Sequence, residues 1–343
     1  MGKKTWIALI ILATILVIGG YVYSIIFLPN TGFSEDTKVL KIHTDESYVA
    51  ILDSLESQHI VKNVKSFDLV AGWMNYKNGD KLKSGIYEFK QGMSNKDMVS
   101  LLRSGRQKPI NLVINNVRTF ADLCGAMSTQ IELDSISLYQ YFTNPENLSE
   151  WQLRKEDLFT LFIPNTYQVY WNISNEQLYD RMKKESDRFW NSDDRIEKLK
   201  ANNLDKNQAV VLASIVEKES NLQSERPEIA GVYINRLNRG IPLQADPTVV
   251  FATGEYDLRR VLNKHLEVDS PYNTYMYAGL PPGPIYMPSI NSIDAVVNAD
   301  KNDYLYFCAK PGYGSAHAFA KNLSEHLRNA ETYRAWLKTE RIR

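Results

Sequence analysis

The distribution of apolar residues divides the chain into two regimes. From Trp6 to Leu28 the sequence reads WIALIILATILVIGGYVYSIIFL, an uncharged run. At about 1.5 Å per residue it covers roughly 34 Å as a helix, enough to cross a bilayer. Lys3 and Lys4 precede it, Glu35 and Asp36 follow, and Trp6, Tyr21 and Tyr23 lie near its ends. Positive charge stays on the cytoplasmic side, so this asymmetry predicts a single-pass anchor with the rest of the chain extracytoplasmic. A cleaved signal peptide is the rival reading. The long apolar run, with no small-x-small site and no cysteine at its end, favours retention over removal and over a lipoprotein.

Beyond the anchor the periodicity is that of a water-soluble fold. PNTGFSEDT is polar and turn-forming and reads as a linker. KVLKIHTD alternates as a strand does. In ESYVAILDSLESQHI, residues Val49, Leu52, Leu55 and Ile60 recur near helical spacing, and a second helical stretch covers residues 66–76. GIYEFKQG predicts a strand, and SNKDMVSLLRSG a helix capped by Ser94 and stopped by Gly105. The order strand, helix, helix, strand makes a module of about 70 residues, within the usual domain range.

From Pro109 a longer mixed region begins with the alternating strand INLVINNV. YQVYW and YLYFCA are strand-like, and residues 176–190 and 206–220 are helical by period. SERPEIAGVYINRLNRG predicts a helix with Pro227 in its first turn and Gly240 as its stop. The proline-rich stretch 242–288 shows little helical period and predicts a long, rigid loop region.

One helix poses a chemical question. In VLASIVEKES (211–220), Leu212, Ile215, Val216 and Glu219 fall on one stripe, so a carboxylate sits on the most apolar face. Burial disfavours the charged form, which would make Glu219 a proton donor near neutral pH. By spacing alone, an ion pair to Arg236 or Lys264, or a helix end emerging into solvent, is the commoner explanation of the position, because helix ends often carry Glu and Ser220 lies near the end.

Composition narrows the field. Among 343 residues, 40 Lys plus Arg balance 40 Asp plus Glu, so no global field recruits nucleic acid. Cys124 and Cys308, the two cysteines, define no disulfide framework and are expected to be buried and unpaired. The five histidines, His43, His59, His265, His317 and His326, lack ligand-pair spacing, so no metal is expected, and no phosphate loop or nucleophile elbow points to a cofactor.

SIVEKES, INRL, LQADPTV, PYNTY and GLPPGPI, in that order, resemble the motif series of the endolytic murein transglycosylases, the MltG or YceG-like family. The resemblance implies an α+β chain: a cytoplasmic tail (1–5), a transmembrane helix (6–28), a linker (29–37), a LysM-like βααβ module (38–108) and a mixed α/β YceG-like catalytic domain (109–343). It implies lytic cleavage between N-acetylmuramic acid and N-acetylglucosamine, with a 1,6-anhydro end formed by the muramoyl C6 hydroxyl. An intramolecular nucleophile removes the need for the second carboxylate of ordinary glycosidases.

By the same resemblance Glu219 is the acid and base, Ser220 its motif partner, and Glu217 a group that orients a loop or substrate. Gln244, Asp246, Asn273 and Tyr275 match polar substrate-binding positions, and His317 in SAHAFA matches a histidine of a C-terminal hairpin. A turn at Asp246-Pro247 and a loop cap at Asn273 are equally consistent with those residues alone. Tyr272, Tyr275, Tyr277 and Tyr286 could stack on sugars or simply pack. Two departures stand out: INNVRTF replaces a Pro-Glu-Gly-type turn, without apparent chemical consequence, and FIPNTY places Asn165 where an aspartate is common, so Asn165 is not carried over. Implied partners are nascent glycan strands, membrane-bound peptidoglycan-synthesis proteins and the inner membrane. A hydrolytic muramidase using Glu219 plus Asp246, and a non-enzymatic glycan-binding scaffold, are the competing functions.

Overall fold

Apolar periodicity and capping chemistry set most of the element boundaries. The computed structural model describes residues 2–78, 82–258, 260–312, 314 and 316–341. The first elements are α1 (Lys3–Phe27), β1 (Thr37–Ile42), α2 (Tyr48–Ser57), α3 (Val64–Trp73), β2 (Gly85–Lys90) and α4 (Asn95–Ser104). They are followed by β3 (Ile110–Ile114), α5 (Phe120–Ser128), α6 (Ser135–Thr143), α7 (Pro145–Trp151), α8 (Leu158–Leu161), β4 (Asn165–Val169), α9 (Asn175–Trp190) and α10 (Arg195–Ala201). The remainder are α11 (Lys206–Glu219), α12 (Arg226–Asn238), α13 (Asp246–Thr253), α14 (Asn263–Leu266), α15 (Ile290–Val297), β5 (Tyr306–Ala309), β6 (His317–Ala320) and α16 (Leu323–Thr339). The result is α+β and helix-dominated, with strands pairing only two by two: β1 with β2, β3 with β4, β5 with β6.

The chain divides into two compact units. The first runs to Leu112 and takes in Gln130–Leu133 and Gln168–Ile173; the second holds Val113–Thr129, Asp134–Tyr167 and everything from Ser174.

In the first unit β1 and β2 are antiparallel, with Thr37 opposite Lys90 and Ile42 opposite Gly85. Alternation buries Leu40, Ile42, Tyr87 and Phe89 against Ile51 and Leu55 of α2, Phe67 and Val70 of α3, and Met98 and Leu102 of α4. Ser94 caps α4 in a reciprocal box with Asp97, and Gly105 ends it in the left-handed conformation. α3 starts two residues before the position read from periodicity, because the Asn63 side chain accepts from the Ser66 N–H and caps it.

Among the described residues, α1 is the one helix long and apolar enough to cross a membrane. Its final turn is not free. Ile25 is buried in the small unit's core, and Asn95 Nδ2 donates to the Ile25 carbonyl at 2.9 Å. Nor does the chain after it behave as a loose tether. Pro29 bridges to Ser94 and Thr31 to Val61, and the Asn30 amide donates to Asn95 Oδ1 (2.7 Å) and the Asn63 carbonyl (2.9 Å). The start of the polar stretch read as a linker is thus built into the module: Asn30 Oδ1 accepts from the Asn63 N–H, and Asn95 Nδ2 donates to the Ile25 carbonyl and Ser66 Oγ, so the buried amides of both residues are satisfied.

The second unit is organised around α11. Residues Ala209–Val216 are buried, so this helix is enclosed on all sides rather than along one stripe. It packs against α12, α13 and α15. Ser214, the polar residue within that run, donates to the Val211 carbonyl and accepts from the Ile285 N–H. α12 begins with Pro227 in its first turn, where a missing N–H costs nothing.

Stretch 242–288 is not all loop: it contains α13 and α14. Pro247 sits at the start of α13, where proline initiates a helix instead of breaking it, and Gly254 (φ 70°) ends it. β5 and β6 form an antiparallel hairpin, with Ala309 opposite His317, and α16 packs on both strands. Cys124 is buried, Cys308 is half-buried, and both are free thiols.

Gly231 lets α12 approach the loop at 300–302. A Cβ there would lie 2.5 Å from the Asp300 carbonyl oxygen and 2.6 Å from Asn302 Nδ2. Gly231→Ala is expected to lower stability by about 2 kcal/mol through overpacking, read from the denaturant midpoint.

Candidate active site

The Asp205 cap and the buried run above it fix the phase of α11, so its C-terminal turn delivers Glu219 to the edge of the core. The Tyr233 hydroxyl, from the middle of α12, donates to Glu219 Oε1 at 2.7 Å. Burial raises the Glu219 pKa, the Tyr233 hydrogen bond opposes it, the nearby Asp246 charge adds to it, and the balance lies at about 7. Tyr233 is itself held well above the ordinary phenol range by burial and by the Glu219 charge, so it remains a donor.

Arg236, one candidate ion-pair partner, is engaged elsewhere. Its guanidinium donates to the carbonyls of Pro242 (2.9 and 2.7 Å) and Leu305 (2.9 Å) and to Gln244 Oε1 (2.7 Å). Among the described residues no ion pair joins Glu219 to Arg236 or to Lys264. The carboxyl is half-buried rather than free in solvent.

Two hollows meet at this group. One, of about 540 Å³, is walled by Arg118, Lys218, Phe251 and Tyr256; the other, of about 280 Å³, by Tyr233, Gln244, Tyr275 and Tyr306. Glu219 and Asp246 line both. Asp246 is the first residue of α13 and accepts from the Tyr275 hydroxyl at 2.6 Å. Gln244 adopts φ 54°, and its N–H donates to the Thr274 carbonyl, which ties the segment before α13 to the loop carrying Tyr275.

The other predicted residues stand behind this cleft. Asn273 is fully buried: its amide donates to the carbonyls of Leu266 and Val268 and its oxygen accepts from the Tyr275 N–H, so it shapes the loop that presents Tyr275. Ser220 is the buried C-cap of α11; its hydroxyl accepts from the Leu222 N–H and its carbonyl from Arg226 Nε.

Glu217 points away from Glu219. It accepts from the Ser289 N–H (3.0 Å), the Ser289 hydroxyl (2.6 Å) and the Ser292 hydroxyl, and lies 3.5 Å from Arg226. Burial raises its pKa, but these serine bonds and the Arg226 charge outweigh burial and hold it below the usual carboxylate range. It therefore fastens α11 to the start of α15 as an anion. His317 opens β6, where its N–H and Nδ1 meet the Glu225 carboxylate at 2.9 and 2.8 Å, and it lines neither hollow.

Tyr233 and Arg118 escape a reading of the sequence, and Arg236, read as a possible ion-pair partner of Glu219, instead holds Gln244. Tyr233 immediately precedes the INRL motif, but only the packing of α11 on α12 reveals it as the partner of Glu219. Arg118 comes from INNVRTF, the departure that looked chemically silent, yet it walls the larger hollow. Among the described residues no three His, Cys, Asp or Glu side chains converge as a metal site requires.

Fold and site together define a class: an α+β domain that presents a carboxyl group with a raised pKa where two polar hollows join. The chain belongs to the YceG-like family, whose model it matches over residues 40–332. It is 29% identical over 338 residues to an endolytic murein transglycosylase of Bacillus subtilis, covering 93% of this chain and 91% of that protein. A protein of the same name from Streptococcus pneumoniae (strain D39) is also 29% identical, over 95% of this chain but only 64% of its own length. A crystal structure of a yceG-like protein from Listeria monocytogenes aligns with a TM-score of 0.54 at 29% identity, covering 86% of this chain and 99% of that one.

Proposed function

We propose that this chain is an endolytic peptidoglycan lytic transglycosylase. The observation that carries the reading is Glu219, protonated up to about pH 7 by burial, at the junction of two hollows. The names of the relatives point the same way. The strand lies across the junction with its muramoyl–glucosaminyl bond over Glu219. The carboxylic acid gives its proton to the bridging oxygen as the bond from C1 breaks, and the resulting carboxylate takes a proton from the C6 hydroxyl as that oxygen bonds to C1. The net result is a 1,6-anhydro end and a regenerated acid, with no water consumed. Asp246, aligned by the Tyr275 hydroxyl, faces the developing positive charge at C1. Tyr233 steadies Glu219 in both protonation states, and Gln244 and Tyr275 meet hydroxyl and N-acetyl groups.

The cleavage requires the protonated acid, so kcat/KM falls as pH rises through about 7. Tyr233→Phe removes a bond that favours the carboxylate and is expected to move this alkaline limb upward by about one pH unit. A pH–rate profile that does not move denies Tyr233 this role.

Around this centre, the βααβ unit acts as a LysM-like glycan-binding module, and α1 as a single-pass anchor with a cytoplasmic N-terminus. The catalytic domain then works outside the membrane on nascent strands, beside membrane-bound peptidoglycan-synthesis proteins, and terminates their elongation. Asp246 supports one competing reading, a hydrolytic muramidase, because a second carboxylate borders the same junction. Mass spectrometry of the products separates the two: anhydromuramic ends for the lytic reaction, reducing muramic acid for hydrolysis.

A further inference from the structure

Arg118 and Lys218 share the wall of the larger hollow beside Glu219. The Arg118 guanidinium lies over the Tyr256 ring at 3.8 Å and the Lys218 ammonium over the Tyr286 ring at 3.3 Å, so aromatic faces hold both cations in place. Among the described residues neither forms an ion pair with a carboxylate. Burial, then the Arg118 charge, pulls Lys218 below the usual lysine range against the opposing pull of Glu217. Two like charges fixed side by side repel each other, and that repulsion is relieved when an anion sits between them. At Arg118 and Phe251 the hollow also opens into a side chamber of about 300 Å³, which Lys155, Glu156 and Tyr272 border.

We propose that Arg118 and Lys218 form an anion subsite beside the scissile bond, which takes a carboxylate carried on the 3-O-lactyl substituent of the muramoyl residue. This assignment rests on the reading of Glu219 given above. The glucosaminyl residues of the strand are neutral, so a pair of cations next to the acid has only that substituent to meet. The carboxylate has two sources: the lactyl acid itself when the stem peptide has been stripped, or the acids of an intact stem, for which the side chamber leaves room.

The test compares three glycan strands of equal length with the full-length protein in detergent: stem-bearing, stripped to the lactyl acid, and stripped with that acid converted to its methylamide. Charge-assisted pairing predicts kcat/KM about tenfold or more higher for an acid-bearing strand than for the neutral one, a preference that shrinks with added salt. The better of the two acid-bearing strands identifies the source. In Arg118→Gln and Lys218→Gln the ratio falls toward one, chiefly through KM. Equal cleavage of all three strands by the wild type overturns the subsite, as does a loss in the variants that is proportional on every strand. The substrate series needs no variant, so a variant that fails to fold leaves it decisive. If the wild type cuts none of the strands, the reading of Glu219 fails instead.

Discussion

Glu219→Gln is expected to reduce release of anhydromuramic ends by at least about 1000-fold, because in the proposed reaction one side chain supplies both the proton given to the leaving oxygen and the base that follows. Glutamine keeps the volume and can still accept the Tyr233 hydroxyl, so the loss isolates proton transfer from packing. Liquid chromatography and mass spectrometry of digested strands read the result, and residual activity within tenfold of wild type would remove Glu219 from the chemistry. A second measurement tests the cause of its raised pKa. Burial lifts Glu219 from the ordinary 4.5 to about 7, so the folded chain holds this proton more tightly than the unfolded chain does. The stability this confers is complete below the ordinary value and lost as pH climbs through about 7. Glutamine never ionises, so the variant should melt above wild type at pH 8 and match it at pH 4.

The largest expected stability change comes from the other glutamate of the motif. Glu217→Ala strips the acceptor from the Ser289 N–H and from two serine hydroxyls, and leaves Arg226, 6% exposed, without its counter-charge. Removing one member of a buried pair typically costs 3–5 kcal/mol, and the 3.5 Å separation here favours the lower end, about 3 kcal/mol. Urea unfolding at pH 7 measures it. The folded Glu217 pKa is depressed, so its contribution is present above the ordinary 4.5 and lost as pH falls through the folded value; the penalty of the variant should fade in acid. Glu217→Gln should recover part of it by restoring an acceptor. A wild-type midpoint in Glu217→Ala would mean that α15 is held by its apolar contacts alone.

Local chemistry explains what could be read in advance. Ser94, Gly105 and Pro227 act within four residues of themselves, and the structure honours each of them. Pro247 also acts locally, but in a proline-rich stretch its helix-starting role is indistinguishable from a turn until Ala245 and Thr248 lock onto Thr274. The apolar stripe through Glu219 could be seen in the period of α11, whereas its enclosure on all sides depends on α12, α13 and α15, which no period along α11 encodes. Tyr233 and Arg118 stayed hidden for a related reason: each meets the site only through packing between elements, Tyr233 from the next α-helix, 14 residues along, and Arg118 from a segment far earlier in the chain.

The coupling of α1 to the small unit has a mechanical consequence. Ile25, Asn30 and Asn95 tie the last turn of the apolar helix and the residues after it to the βααβ core. If α1 is the membrane anchor proposed above, a helix that leans to match the thickness of its bilayer is expected to tilt the core packed on its last turn with it. Under that placement, lipid chain length would become a setting for the orientation of the small unit.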